Sequence, residues 1–153
     1  MTQTDVIQIL SGFIGSVGFA ILFNIRGKRL VLTAIGGFVC CLLFVILGWF
    51  IKSEPVVYFV IALTISLYAE VMARTLKTPT TTFITSSLSP LIPGASLYYT
   101  MALTFQGNME TFLQKAIYTL QLASALALGI IVSTTLTQIL YGVKKAIKSK
   151  KTN

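Results

Sequence analysis

Five long apolar runs, separated by short clusters of charge, fix what this chain can become. Residues 6–25 carry no charge and stop at Arg26-Gly27-Lys28-Arg29. Residues 30–51 are also uncharged and end in Trp49-Phe50-Ile51 before Lys52. Residues 55–73 contain one charge, Glu70, and residues 79–104 and 117–141 contain none. A helix needs about 20 apolar residues to cross a hydrocarbon core of roughly 30 Å, so each run is long enough. A water-soluble domain carries about 25% charged residues, whereas this chain of 153 residues has 10% charged and 55% hydrophobic. The expected fold is all-α: a single polytopic transmembrane domain over residues 1–153, with five spans and a basic tail at 144–153.

The net charge of +8 would suggest nucleic acid in a soluble protein, but here the cations sit at the ends of apolar runs and read as topology signals. If the tail is cytoplasmic, so are the loops at 26–29 and 74–77. Arg26, Lys28, Arg29, Arg74, Lys77 and the five tail lysines then lie on one side, leaving Lys52 and Lys115 on the other. The positive-inside rule therefore predicts an outside N-terminus and a cytoplasmic C-terminus. The opening Met1-Thr2-Gln3-Thr4-Asp5 has no basic residue, so the first run reads as an anchor and not as a cleaved leader. The tail lysines suit anionic lipid headgroups.

Several chemistries find no support. The chain contains no histidine, and Cys40 and Cys41 are adjacent inside an apolar run, which suits packing and not a metal or disulfide framework. No phosphate-binding loop is present, and the glycines of Ser11-Gly12-Phe13-Ile14-Gly15-Ser16-Val17-Gly18 lack dinucleotide spacing. No cofactor, metal, nucleic acid or enzymatic activity is expected. At four-residue spacing, Ser11/Gly15, Gly12/Ser16, Ala123/Ala127 and Ala125/Gly129 are small-xxx-small pairs, which either let helices approach closely or face a substrate.

Two segments carry the candidate site. In the third run Ala62, Ser66, Ala69/Glu70 and Ala73 share one helical face. Glu70 lies about 22 Å along the helix from Pro55 at 1.5 Å per residue, and Arg74 stands one turn beyond it. The pair reads either as an interfacial ion pair or as a proton-binding gate. In the fourth run Thr78-Pro79 looks like a helix cap and first position. The hydroxyls of Thr80, Thr81, Thr82, Thr85, Ser86, Ser87 and Ser89 follow, then Pro90-Leu91-Ile92-Pro93-Gly94 breaks the helix. A break at membrane depth is either a packing kink or a binding site, since the N–H groups of a restarted half-helix favour an anionic group. Gly94 to Ser96 would supply those donors, placing Pro90, Pro93, Gly94, Ser96, Tyr98 and Tyr99 along a substrate pathway.

Tyr68-Ala69-Glu70-Val71-Met72-Ala73-Arg74, then Thr78-Pro79, Phe83 and the run from Pro90 through Ser96-Leu97-Tyr98-Tyr99-Thr100-Met101, resemble the signature of the threonine/serine exporter (ThrE) family. Gly18-Phe19-Ala20-Ile21-Leu22-Phe23-Asn24 is similar to a second family block, although Arg26-Gly27 stands where members carry a proline. The resemblance implies a proton-driven exporter of threonine- or serine-like amino acids or of succinate-like dicarboxylates. The length and span count resemble the small subunit of split members, which implies a larger membrane subunit as partner. It also makes Asn24 a possible contributor to the site, beside an ordinary role as a helix cap. Amino acids are favoured over dicarboxylates because Arg74 is the one cation near the expected site. Two rivals stand beside the exporter: a non-transporting scaffold for the larger subunit, and a passive channel along the hydroxyl-rich fourth run.

Overall fold

The computed structural model describes residues 3–105 and 109–150, with side chains described as far as Gly142, residue 4 apart. Every regular element in it is helical: α1 (Gln3–Leu22), α2 (Lys28–Phe50), α3 (Glu54–Thr75), α4 (Thr80–Ser87), a 3₁₀ turn (Ser89–Leu91), α5 (Gly94–Phe105) and α6 (Met109–Lys150). Among the described residues, α1, α2, α3 and the Met109–Gly142 part of α6 are each long and apolar enough to cross a membrane. The fourth expected span is broken between Pro90 and Gly94, as its prolines predict, into two short helices. At 1.5 Å per residue they reach about 12 and 18 Å, so neither crosses alone.

The helix ends follow from local backbone chemistry. Asn24 has φ +56°, its N–H bonds Ile21 O at 2.9 Å, and the N–H of Ile25 reaches back to Ala20 O at 2.9 Å. This paired closure around a left-handed residue is the Schellman motif, and it stops α1 at Leu22, before the apolar run ends. The same device ends α3. Lys77 has φ +49°, and its N–H and that of Thr78 bond Arg74 O and Ala73 O. Thr78 therefore belongs to the exit of α3, where its hydroxyl bonds Leu76 O at 3.0 Å. The expected Thr78 cap on the next helix is replaced by Pro79, with no side-chain cap bond. The basic segment to Lys150 continues α6 without a break, and its side chains, with their expected contact to lipid headgroups, lie outside the described residues.

Close approach of backbones organises the bundle. On α1 and α2, a Cβ at Gly12 or Gly37 would collide with Cys41 or Ser16, so the Gly12/Ser16 pair does pack helix on helix. On α3 and α6, a Cβ at Gly129 would sit 2.7 Å from Ala62 Cβ and 2.8 Å from Phe59 O. Any larger residue there would force the two helices apart. A core of Cys40, Val57, Tyr58, Ile61, Ile65, Leu88, Leu91 and Leu122 joins α2, α3, the 3₁₀ turn and α6. A second cluster, Ala69, Ala73 and Phe83, seats α4 on α3.

Candidate functional site

The break falls where the prolines require it. Pro90 has no N–H to give Ser86 O, and the hydroxyl of Ser89 fills that vacancy at 2.9 Å. The chain then makes one 3₁₀ turn, with Leu91 N bonding Leu88 O at 2.9 Å and Ile92 N bonding Ser89 O at 3.3 Å, before α5 restarts. The N–H of Gly94 is already held by Ile92 O at 2.7 Å. Of the donors expected at Gly94 to Ser96, this leaves the backbone of Ala95 and Ser96 in the first turn.

The 3₁₀ turn forms one wall of a cavity of about 300 Å³. Ser89, Pro90 and Leu91 face Gln8, Ser11, Gly12, Gly15 and Phe19 of α1, with Cys40, Cys41 and Phe44 of α2 and Tyr58 of α3 completing it. None of these side chains is charged. Ser11 and Gly15, paired by spacing with helix packing, instead border this space, and a Cβ on Gly15 would meet nothing within 4 Å. Of the expected pathway residues only Pro90 lines the cavity. Pro93 is buried, Ser96 half-buried and Gly94 exposed, while Tyr98 and Tyr99 are 69% and 60% exposed. Those two rings meet edge to face at 5.6 Å. Sequence reasoning missed Gln8, Ser11, Tyr58 and Ser89 as a group. Gln8, Ser11, Gly12 and Gly15 do recur at helical spacing on one face of α1, but Tyr58 and Ser89 join them only through the fold.

Glu70 and Arg74 form a second centre at the other end of α3. Glu70 is buried, its carboxylate lies 3.3 Å from the Arg74 guanidinium, and that guanidinium sits 3.9 Å from the ring centre of Tyr141 on α6. The pairs Ala62–Gly129 and Arg74–Tyr141 have the same sequence separation, so α3 and α6 run parallel in constant register. That register sets Ser66 opposite Ser133 and Glu70 opposite Thr137. The Thr137 hydroxyl bonds Ser133 O at 2.8 Å, while the hydroxyls of Ser66 and Ser133 are buried with no hydrogen-bond partner. A buried hydroxyl left unpaired costs about 1–3 kcal/mol, so this stripe is polar by composition and incompletely satisfied. Asn24 is set apart from both centres. It is exposed, caps α1, and accepts a bond from Arg26 Nε at 2.9 Å.

These features define a helical membrane protein with an interrupted helix bordering an uncharged cavity, and with a buried carboxylate paired to an exposed arginine in its opposite half. The family model described as "Threonine/Serine exporter, ThrE" matches residues 8–136, a range that contains the whole cavity lining, Glu70 and Arg74. The chain belongs to the threonine/serine exporter family. It is thus a membrane transporter of exporter type, acting on a small molecule in a lipid bilayer. No curated protein and no solved structure matches it.

Proposed function

We propose that this chain is the five-span subunit of a split exporter for small carboxylate-bearing metabolites, driven by protons and completed by a larger membrane subunit. α4, the 3₁₀ turn and α5 cross the bilayer together, with the N-terminus outside and the C-terminus in the cytoplasm. The observation that carries the reading is the broken helix itself. Irregular backbone at membrane depth is tolerated where it is buried or lines a cavity, and here Ser89, Pro90 and Leu91 do line one.

In this reading Pro90, Pro93, Gly94, Ser96, Tyr98 and Tyr99 form this chain's side of the substrate pathway, and the larger subunit closes it over α5. What supports this is that α5 has no buried residue, so its tyrosines are free to meet a partner. Glu70 is the proton site and Arg74 the gate. Protonating Glu70 removes the charge that holds Arg74, and the unpaired hydroxyls of Ser66 and Ser133 supply polar positions one turn away. Asn24 contributes by shaping the turn between α1 and α2.

The test is efflux from cells loaded with labelled threonine and labelled succinate, carrying this chain, the larger subunit, or both. Efflux that needs both chains supports the split exporter, and the faster label identifies the substrate class. Equal efflux from the larger subunit alone would make this chain a scaffold. Glu70→Gln should abolish gradient-driven efflux, whereas a passive channel would keep conducting.

A further inference from the structure

Among the described residues, α3 and α6 are the most extensively packed pair of helices, and each end of their seam is fastened by a tyrosine of α6 on a charged group of α3. At one end the Arg74 guanidinium lies 3.9 Å from the ring centre of Tyr141. At the other the Tyr118 hydroxyl donates to the Glu54 carboxylate, and Lys115 Nζ stands 5.7 Å from the same ring. Residues 118 and 141 lie about 35 Å apart along α6 at 1.5 Å per residue, against a hydrocarbon core of roughly 30 Å. The two fastenings therefore sit at opposite faces of the bilayer. We infer that Glu54 and Tyr118 form a second gate of the transporter, and that the α3–α6 seam parts at this end while Arg74 holds the other. The inference rests on the transport reading above and adds the residues that close the face opposite Arg74.

The middle of the seam suits a pivot. A Cβ at Gly129 would meet Ala62 Cβ, Phe59 O and Leu63 N at 2.7, 2.8 and 3.1 Å, so the helices touch there backbone to backbone. The contact lies about 12 Å along α3 from Glu54 and about 18 Å from Arg74. Without interlocking side chains, one helix can rock on the other. One turn further, the hydroxyls of Ser66 and Ser133 are fully buried and unpaired. Neither bonds a carbonyl of its own helix, as Thr64 and Thr134 do in the neighbouring turns. The closed seam thus leaves two donors without partners, which is unfavourable, and parting it admits the water that would satisfy both.

The two ends open by different means. Glu70 is buried beneath Arg74, so that end is released when Glu70 takes up a proton. Glu54 and Lys115 are exposed and Tyr118 is half-buried. Water can replace their bond at little cost, because exposed charged contacts are weak. Tyr58, one turn along α3 from Glu54, walls the cavity beside the 3₁₀ turn, so parting this end of the seam also moves that wall.

The experiment places Glu54→Cys and Tyr118→Cys together in a Cys40→Ala, Cys41→Ala parent, in cells that also carry the larger subunit and are loaded with labelled threonine and labelled succinate. A membrane-permeant, reducible bifunctional thiol reagent ties the two positions. Efflux should fall to background on cross-linking and recover on reduction, while a monofunctional reagent of the same chemistry should leave it running. Efflux that persists after complete cross-linking overturns the gate and leaves the transport reading standing. Failure of the two thiols to cross-link removes the pairing and with it the gate.

A second readout does not depend on transport. Ser66→Cys in the same parent is labelled by a water-soluble maleimide in open membrane fragments, with and without Tyr118→Phe, which keeps the ring and deletes only the hydroxyl. Labelling should be faster once the hydroxyl is gone, and Glu54→Gln, which keeps an acceptor for that hydroxyl, should hold it near the slower rate. Equal labelling with and without the hydroxyl overturns the gate. If the parent exports neither label, the transport reading falls, and if only the unlinked thiol pair fails to export, that reading stands. In both cases the labelling of Ser66→Cys decides whether Tyr118 holds the seam shut.

Discussion

α4 and α5 are the two halves of one interrupted helix, and each carries hydroxyl-bearing residues in its opening turn, yet they end in opposite surroundings. α4 enters a slot between α2 and α3 and buries Phe83, Ser86 and Ser87 completely. α5 packs against α6, joined by a 3.1 Å contact between the hydroxyls of Thr100 and Thr119, and buries no residue. The difference comes from the neighbours. α2 and α3 offer α4 small residues, Gly36, Ala69 and Ala73, and a Cβ at Gly36 would sit only 2.5 Å from Ser87 Oγ. α5 has one helix to lean on and presents Tyr98, Tyr99, Met101 and Phe105 outward. Hydroxyl content alone therefore does not mark a pathway, because Ser86 and Ser87 of α4 are buried within the protein. Ser87 Oγ bonds Thr33 O at 3.2 Å.

The contrast predicts unequal costs for equal truncations. Phe83→Ala should destabilise the protein by about 3–5 kcal/mol, the usual loss for an aromatic removed from a packed core. Phe105→Ala, at a position 90% exposed, should change stability by less than about 0.5 kcal/mol. Unfolding of the two variants in detergent micelles checks this, and equal losses would mean that α5 is packed like α4. The next effect in size is Gly129→Leu, which should cost about 1–3 kcal/mol through overpacking and separate α3 from α6. Because Arg74 reaches Tyr141 across that interface, the variant should also break that contact, and Arg74, already exposed on its other side, should react faster with aqueous arginine-modifying reagents. Ser87→Ala should cost about 1 kcal/mol, the net value of one hydrogen bond, against no measurable loss for Thr104→Ala, whose bond to Thr100 O at 3.3 Å is exposed.

Much of this arrangement is legible in the sequence, and what is missing has physical causes. Apolar runs ended by charge mark α1, α2, α3 and α6 because crossing a bilayer demands length and hydrophobicity, which composition records directly. The break at Pro90 and Pro93 is readable because a missing N–H is a local fact. Glu70–Arg74 is readable because four-residue spacing makes helical neighbours. The direction α5 takes after the break depends on which helices have room for it, and no residue in 94–105 encodes that. The cavity was hidden for a similar reason. Ser11/Gly15 and Gly12/Ser16 have identical spacing and similar composition, and only the placement of α2 turns one pair into a contact and leaves the other facing space. Thr78 misled because it and Pro79 together suit the start of a helix, while the left-handed turn at Lys77 claims Thr78 for the end of the one before.

The smallest structural effect carries the sharpest functional test. Tyr98→Cys should alter stability by less than about 0.5 kcal/mol, as for other exposed sites, so its chemistry can be read without a folding defect. If α5 borders a substrate pathway closed by a larger subunit, that thiol should react with a charged, water-soluble reagent, and bound substrate should slow the reaction. If α5 faces lipid, only a membrane-soluble reagent should reach it, at the same rate with or without substrate. The buried half provides the reference. Ser86→Cys, at a position with no exposed surface, should resist both reagents in the folded protein. Tyr98 reacting like Ser86→Cys would mean that a partner covers α5 without leaving a passage, and the pathway would then have to run through the cavity beside α1.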